Sequence, residues 1–181
     1  MRHAMNMQIA SPRPSDEVPW ARIATEVNAW RGACLQSFAQ AEAAVTEALL
    51  FLSNVDQHGP AVQLRHLVEQ RFEDLAQAIG PEGGFAAEGC AAHDALVRFR
   101  THERLRAHLA HDVARIAVER NGTWVVILRH LSIRSGNAER GTVAFEQAEA
   151  AEVLSEMKRK AQQLDAALDK LRRNIELKLA G

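Results

Sequence analysis

Tyrosine is absent from this 181-residue chain, and aromatic residues together make up only 5% of it. Apolar residues still reach 47%, so the core must be built mainly from alanine and aliphatic side chains. Together with abundant glutamate, glutamine and arginine, that composition favours helix. Cysteine occurs twice, at Cys34 and Cys90, far apart in sequence. Two isolated thiols make no disulfide framework, and with no secretory leader they read as reduced thiols of a cytoplasmic protein. No apolar run approaches the roughly 20 residues of a membrane span, so no membrane partner is expected. Neither sign of charge dominates: the net charge is −1. That excludes a global pull towards nucleic acid and leaves any RNA contact to a local patch. The first 15 residues are polar, carry Pro12 and Pro14 and lack an apolar signal core. They are expected to be a disordered tail, with residues 16–181 forming a single domain.

What remains is helical pattern, broken once. Pro19 suits a first helical turn. From there apolar residues recur at Trp20, Ile23, Val27, Trp30, Cys34, Phe38, Ala41, Val45, Ala48 and Leu52, steps of three and four that mark the buried stripe of a long helix. Gly32 is a point where it could split. A loop ending His58-Gly59-Pro60 leads to a second helix over about Ala61–Ile79, with Leu64, Leu67, Val68, Phe72, Leu75 and Ile79 inward. Gly80-Pro81 stops it. The glycine-rich stretch Glu82–Gly89 is a loop. With no strand before it and no Gly-Lys-Ser/Thr after it, it is not a phosphate cradle. A third helix is expected over about Ala91–Asp112. The period then changes. Val113–Arg120 and Thr123–Leu131 are β-branched and flank Asn121-Gly122, the strongest short hairpin signal. A two-residue turn there sets Val118 against Val125 and Ile116 against Ile127, and leaves Trp124 on the other, half-wet face with Arg115 and Glu119. Ser132–Gly141 is read as a polar loop. A last long helix, about Thr142–Leu179, carries a heptad seam of Leu154, Met157, Ala161, Leu164, Leu168, Leu171 and Ile175. That seam serves either its own bundle or a coiled coil with a second chain.

The chemistry gathers at Arg104-Leu-Arg-Ala-His-Leu-Ala-His-Asp112, where nine residues hold two arginines, two histidines and an aspartate. Arg106 and His111 are separated by four residues, and Arg104 and His111 by six. That spacing, and the text Arg106-x-x-Leu-Ala-His111, resembles the Arg-x(4–6)-His signature of the HEPN superfamily. The order of helices, hairpin and long helix over Trp30–Leu179 is similar to small bacterial members. The resemblance implies a mainly α fold, a four- to five-helix bundle with one inserted β-hairpin. It further implies pairing about a two-fold axis, so that two motif helices meet in a cleft. Many members cut RNA without metal or cofactor, as toxins or antiphage effectors that some partner neutralises. Others have lost catalysis and act as interaction or RNA-binding modules. By motif matching, His111 is the acid/base candidate and Arg106 the phosphate clamp, with Arg100, Arg104 and His108 as substrate-binding auxiliaries. Ala107 departs from the pattern, because the residue after the motif arginine is commonly polar in active members. Glu42 is placed like an acidic residue that some relatives carry opposite the motif.

The residue types suit metal-free RNA cleavage on their own terms. Histidine titrates near neutrality and can give or take a proton. Arginine stays charged and grips phosphate oxygens bidentately. Other readings of the same residues stand beside this one. His111 could cap a helix C-terminus. Arg104 and Arg106 could pair with Glu103 or Asp112. His108 and His111 could bind a metal with His102 or Asp112, although no cysteine or Glu-x-x-His context supports a metal set. On helical geometry Arg100, Arg104, His108 and His111 share one face, while Arg106 lies about 140° from His111.

Overall fold

The computed structural model describes residues 20–134 and 137–180; the expected tail, Pro19 and Gly181 lie outside the described residues. The chain is mainly helical, with one small antiparallel sheet. Helix α1 spans Trp20–Ser53 without a break at Gly32. Its expected stripe is buried from Ile23 to Leu52, but Trp20 at the end of the stripe is exposed. Helix α2 covers Val68–Ile79, α3 Ala86–Arg100, α4 Glu103–His111 and α5 Gln147–Ala180. Helix α1 packs along α5, α3 lies against α5, and α2 rests on α1 and α3.

The heptad seam is filled from within the chain. Met157, Ala161, Leu164, Leu168, Leu171 and Ile175 are all buried, facing α1 and α3. At about 1.5–3 kcal/mol for a fully buried leucine, this seam is a main source of cohesion. It is not a free coiled-coil surface.

The second helix is shorter than its pattern suggests, and Leu64 and Leu67 are half exposed. The reason is Asp74, buried on α2 and bound by Arg65 through the backbone N–H and the guanidinium, with Nε 2.7 Å from Oδ1. Nine residues of helix would put Arg65 about 13 Å from Asp74 along the axis. The segment before Val68 therefore stays extended and lets Arg65 fold back. After the stop at Gly80, α3 starts earlier than expected, at Ala86. Gly89 is there because a Cβ would sit 2.6 Å from Cβ of Ile79 on α2.

Two differences shape the functional region. The expected third helix is two, since the chain breaks between α3 and α4 at Thr101-His102. The expected ribbon is a three-stranded sheet. Strands β1 (Val113–Val118), β2 (Trp124–Arg134) and β3 (Asn137–Glu146) lie in the order β1-β2-β3. Most of the presumed polar loop is strand, and Thr142 sits in β3 rather than opening a helix.

The β1–β2 register is one residue off the two-residue-turn expectation. Val118 pairs with Trp124 and Ile116 with Val126. Arg120, Asn121 and Gly122 form a three-residue loop closed by Glu119 N–H to the Thr123 carbonyl, 2.9 Å. Gly122 at φ +88° supplies the left-handed step. A one-residue slip exchanges the faces of a strand. Trp124, Val126 and Leu128 therefore point into the core. Trp124 stands 6.4 Å from Trp30, centroid to centroid, and its indole N–H reaches Glu26 at 3.3 Å. The expectation that Trp124 lies on the half-wet face is corrected by this register.

Candidate active site on helix α4

Helix α4 is held by Leu109, fully buried, and by the half-buried Leu105. It packs on α1 and β2. On a helical wheel the two flanks of that core stripe are Arg106 and His108, and each meets a different element. Arg106 turns to α1, where Nε stands 2.8 Å from Oε1 of Glu42. Both side chains are mostly buried, 30% and 19% exposed. His108 turns to the sheet. The solvent face carries Arg104, Ala107, Ala110 and His111, all exposed.

The end of α4 is capped by α1. Arg31 donates Nε to the Leu109 carbonyl and a terminal N–H to the Asp112 carbonyl at 3.4 Å. Arg31 thus does the C-terminal capping that was one reading of His111. His111 has no side-chain hydrogen bond among the described residues. Arg104 has no ion pair among them.

Beyond the cap, Asp112 points inward and is 5% exposed. Its Oδ2 accepts from Nδ1 of His108 at 2.7 Å, and its Oδ1 meets Nδ1 of His130, on β2, at 2.9 Å. The two imidazoles stand edge to face, 5.5 Å between centroids. Burial pushes the Asp112 carboxyl up, but hydrogen bonds from His130 and His108 outweigh it and hold the group below the usual carboxylate range. Nε2 of His108 is enclosed and has no partner among the described residues.

The expected residues therefore separate into three settings. Arg100 ends α3 and binds Glu73 at 2.9 Å and Glu103 at 2.8 Å. Burial opposes its charge, yet these two carboxylates raise its pKa above the usual arginine value. The face expected to join Arg100 to Arg104 is interrupted by the Thr101-His102 break. Arg106 belongs to the α1 contact and His108 to the sheet contact, while Arg104 and His111 share the open face. The pairings suggested for Arg106 and Asp112 are replaced by Glu42 and the two histidines. Sequence reasoning missed Asp112 as a buried anchor, and it missed His130 altogether. The signal for His130 was faint: a histidine in an apolar strand, 18 residues beyond Asp112.

Basic charge also collects where the chain order hid it. The segment Leu96–Arg120 holds six arginines against three acids. The outer face of the sheet adds to its Arg115 two arginines from the later strands, Arg129 and Arg140, around a groove of about 420 Å³. Exposed Val113 and Leu131 share that face, and none of the three arginines has an ion pair among the described residues.

Comparison of the chain with protein-family models, with curated proteins and with solved structures finds no match.

Proposed function

We propose that this protein is a HEPN-like, metal-independent endoribonuclease, its helices forming the HEPN-type bundle with the hairpin after the motif helix, and that it acts as a dimer. The observation that carries the reading is the Glu42–Arg106 pair. An acidic residue stands on the first long helix opposite the motif arginine, at 2.8 Å, as some members of the family it resembles carry one. The pair fixes the guanidinium through Nε, leaving its terminal nitrogens for a phosphate oxygen. His111 is exposed and makes no side-chain hydrogen bond among the described residues, as a group that must exchange protons with substrate should be. In the reaction one imidazole takes the 2′-hydroxyl proton, the 2′-oxygen attacks phosphorus, and the P–O5′ bond breaks. A second acid protonates the departing 5′-oxygen. A second copy of α4 across a two-fold axis supplies that second group, and Arg104 adds charge beside it. Because the α5 seam is used internally, the dimer contact falls to the open face of α4. A role in toxin or antiphage systems, with a protein that neutralises the activity, goes with this reading.

A second reading, a catalytically silent HEPN-like interaction or RNA-binding module, is favoured by one observation. Glu42 already neutralises Arg106, and Ala107 offers no polar group beside it. The test is cleavage of structured and single-stranded RNA without added divalent cation. The ribonuclease reading expects cleavage, a fall of about 10²–10⁴-fold in His111→Ala, and a similar fall in Arg106→Ala. It also expects a mass near twice 20.0 kDa by light scattering. A monomer that leaves all RNAs intact would sink it in favour of the module.

A further inference from the structure

Asp112 is a buried carboxylate whose side chain meets no lysine or arginine among the described residues. Arg31 reaches only its backbone carbonyl. Its two oxygens meet two imidazoles, and neither carries a permanent charge. Buried carboxylates are normally paired with a fixed cation or coordinate a metal. We propose that His108, Asp112 and His130 form a binding site for a divalent first-row transition-metal ion, Zn²⁺ foremost, that ties the C-terminal end of α4 to strand β2.

The donor set is two imidazole nitrogens and one carboxylate oxygen, all within 4.8 Å of one another. Imidazole with carboxylate suits Zn²⁺ rather than Ca²⁺ or Mg²⁺, which prefer all-oxygen shells. Bonds of about 2.0–2.2 Å in tetrahedral geometry set donor atoms roughly 3.3 Å apart. Nδ1 of His108 stands 2.7 Å from Oδ2 and Nδ1 of His130 2.9 Å from Oδ1, and rotation of the Asp112 and His130 side chains makes one carboxylate oxygen the shared donor. The two rings stand at 89° to each other, each with Nδ1 on the Asp112 carboxylate. His108 and Asp112 are four residues apart across the last turn of α4, and His130 is fixed by the β1–β2 register. The three donors are therefore placed by two elements rather than by a loop. Three protein donors leave a fourth position for water on the open side, where His130 is 34% exposed. The earlier metal candidate, His108 with His111, is not this site, because His111 is exposed and lies outside the cluster of His108, Asp112 and His130.

The inference does not rest on the ribonuclease reading, and its test uses no RNA. The full chain, purified without a histidine tag and stripped of metal, is dialysed against Zn²⁺ and its content measured. One ion per chain is expected, and a rise in melting temperature with Zn²⁺. His130→Ala should weaken binding by more than about 100-fold, since losing even an outer partner of a ligand costs 10–100-fold. His111→Ala should keep the full stoichiometry. Should His130→Ala fail to fold, the wild type decides. Co²⁺ bound to it should give tetrahedral d–d bands without a thiolate charge-transfer band. No uptake, uptake unchanged in His130→Ala, or a thiolate band from Cys34 or Cys90 would each overturn the proposal.

Discussion

The Glu42–Arg106 contact is the place to test whether α1 and α4 are built as one site. The perturbation is a double-mutant cycle of Glu42→Ala, Arg106→Ala and the pair. Unit charges about 4 Å apart attract by roughly 4 kcal/mol at an effective dielectric of 20. Desolvation of both groups and side-chain ordering remove most of that. Fully exposed pairs retain about 0.2–1 kcal/mol, whereas hydrogen bonds to charged groups retain about 1.5–3 kcal/mol. With side chains 30% and 19% exposed and one bond of 2.8 Å, this pair belongs between the two classes. A coupling energy of about 1–2 kcal/mol is expected from urea denaturation, with part of it lost at 1 M salt as screening sets in. The functional arm is Glu42→Gln, which releases the arginine's charge. RNA affinity should then rise, and the log–log salt dependence should steepen by about 0.7 for one more neutralised phosphate on a single strand. A coupling energy indistinguishable from zero, with RNA affinity unchanged in Glu42→Gln, would refute the claim that this contact organises the site.

Three further outcomes follow from the packing. Gly89→Ala forces a methyl to within 2.6 Å of Ile79 Cβ and should destabilise the fold by about 1–3 kcal/mol in urea melts; an unchanged midpoint would mean α2 and α3 do not approach this closely. Burial raises the Cys34 thiol to about 11 and Cys90 is exposed, so a thiol reagent at pH 8 should label Cys90 quickly and Cys34 only after denaturation; rapid labelling of both in the native chain would contradict the α1 packing. The bond from Lys178 holds the Glu88 carboxyl below its ordinary 4.5. Its stabilisation is therefore complete above that value and is lost as pH falls through the lower folded value. Lys178→Ala should have a flatter melting-temperature profile below pH 4.5 than the parent, and identical profiles would remove the contact.

The sequence by itself determined where the long helices run. The three-and-four spacing of Ile23 to Leu52 and of Met157 to Ile175 is local information, and any helix with such a stripe must bury it. The stop at Gly80-Pro81 and the turn at Asn121-Gly122 were legible for the same reason, since backbone geometry there depends on the residues themselves. The motif on α4 was legible as text, and so was the acidic residue facing it. Tertiary structure alone decided the rest. Arg65 must reach Asp74, so apolar Leu64 and Leu67 stay outside a helix they would otherwise extend. The three-residue loop sets the β1–β2 register, and that single step carries Trp124 inward and His130 onto Asp112. A charged or titratable side chain takes its role from the partner it meets. Glu42 and Arg106 meet across 64 residues of chain and Asp112 and His130 across 18, distances over which composition and periodicity carry no information about contact.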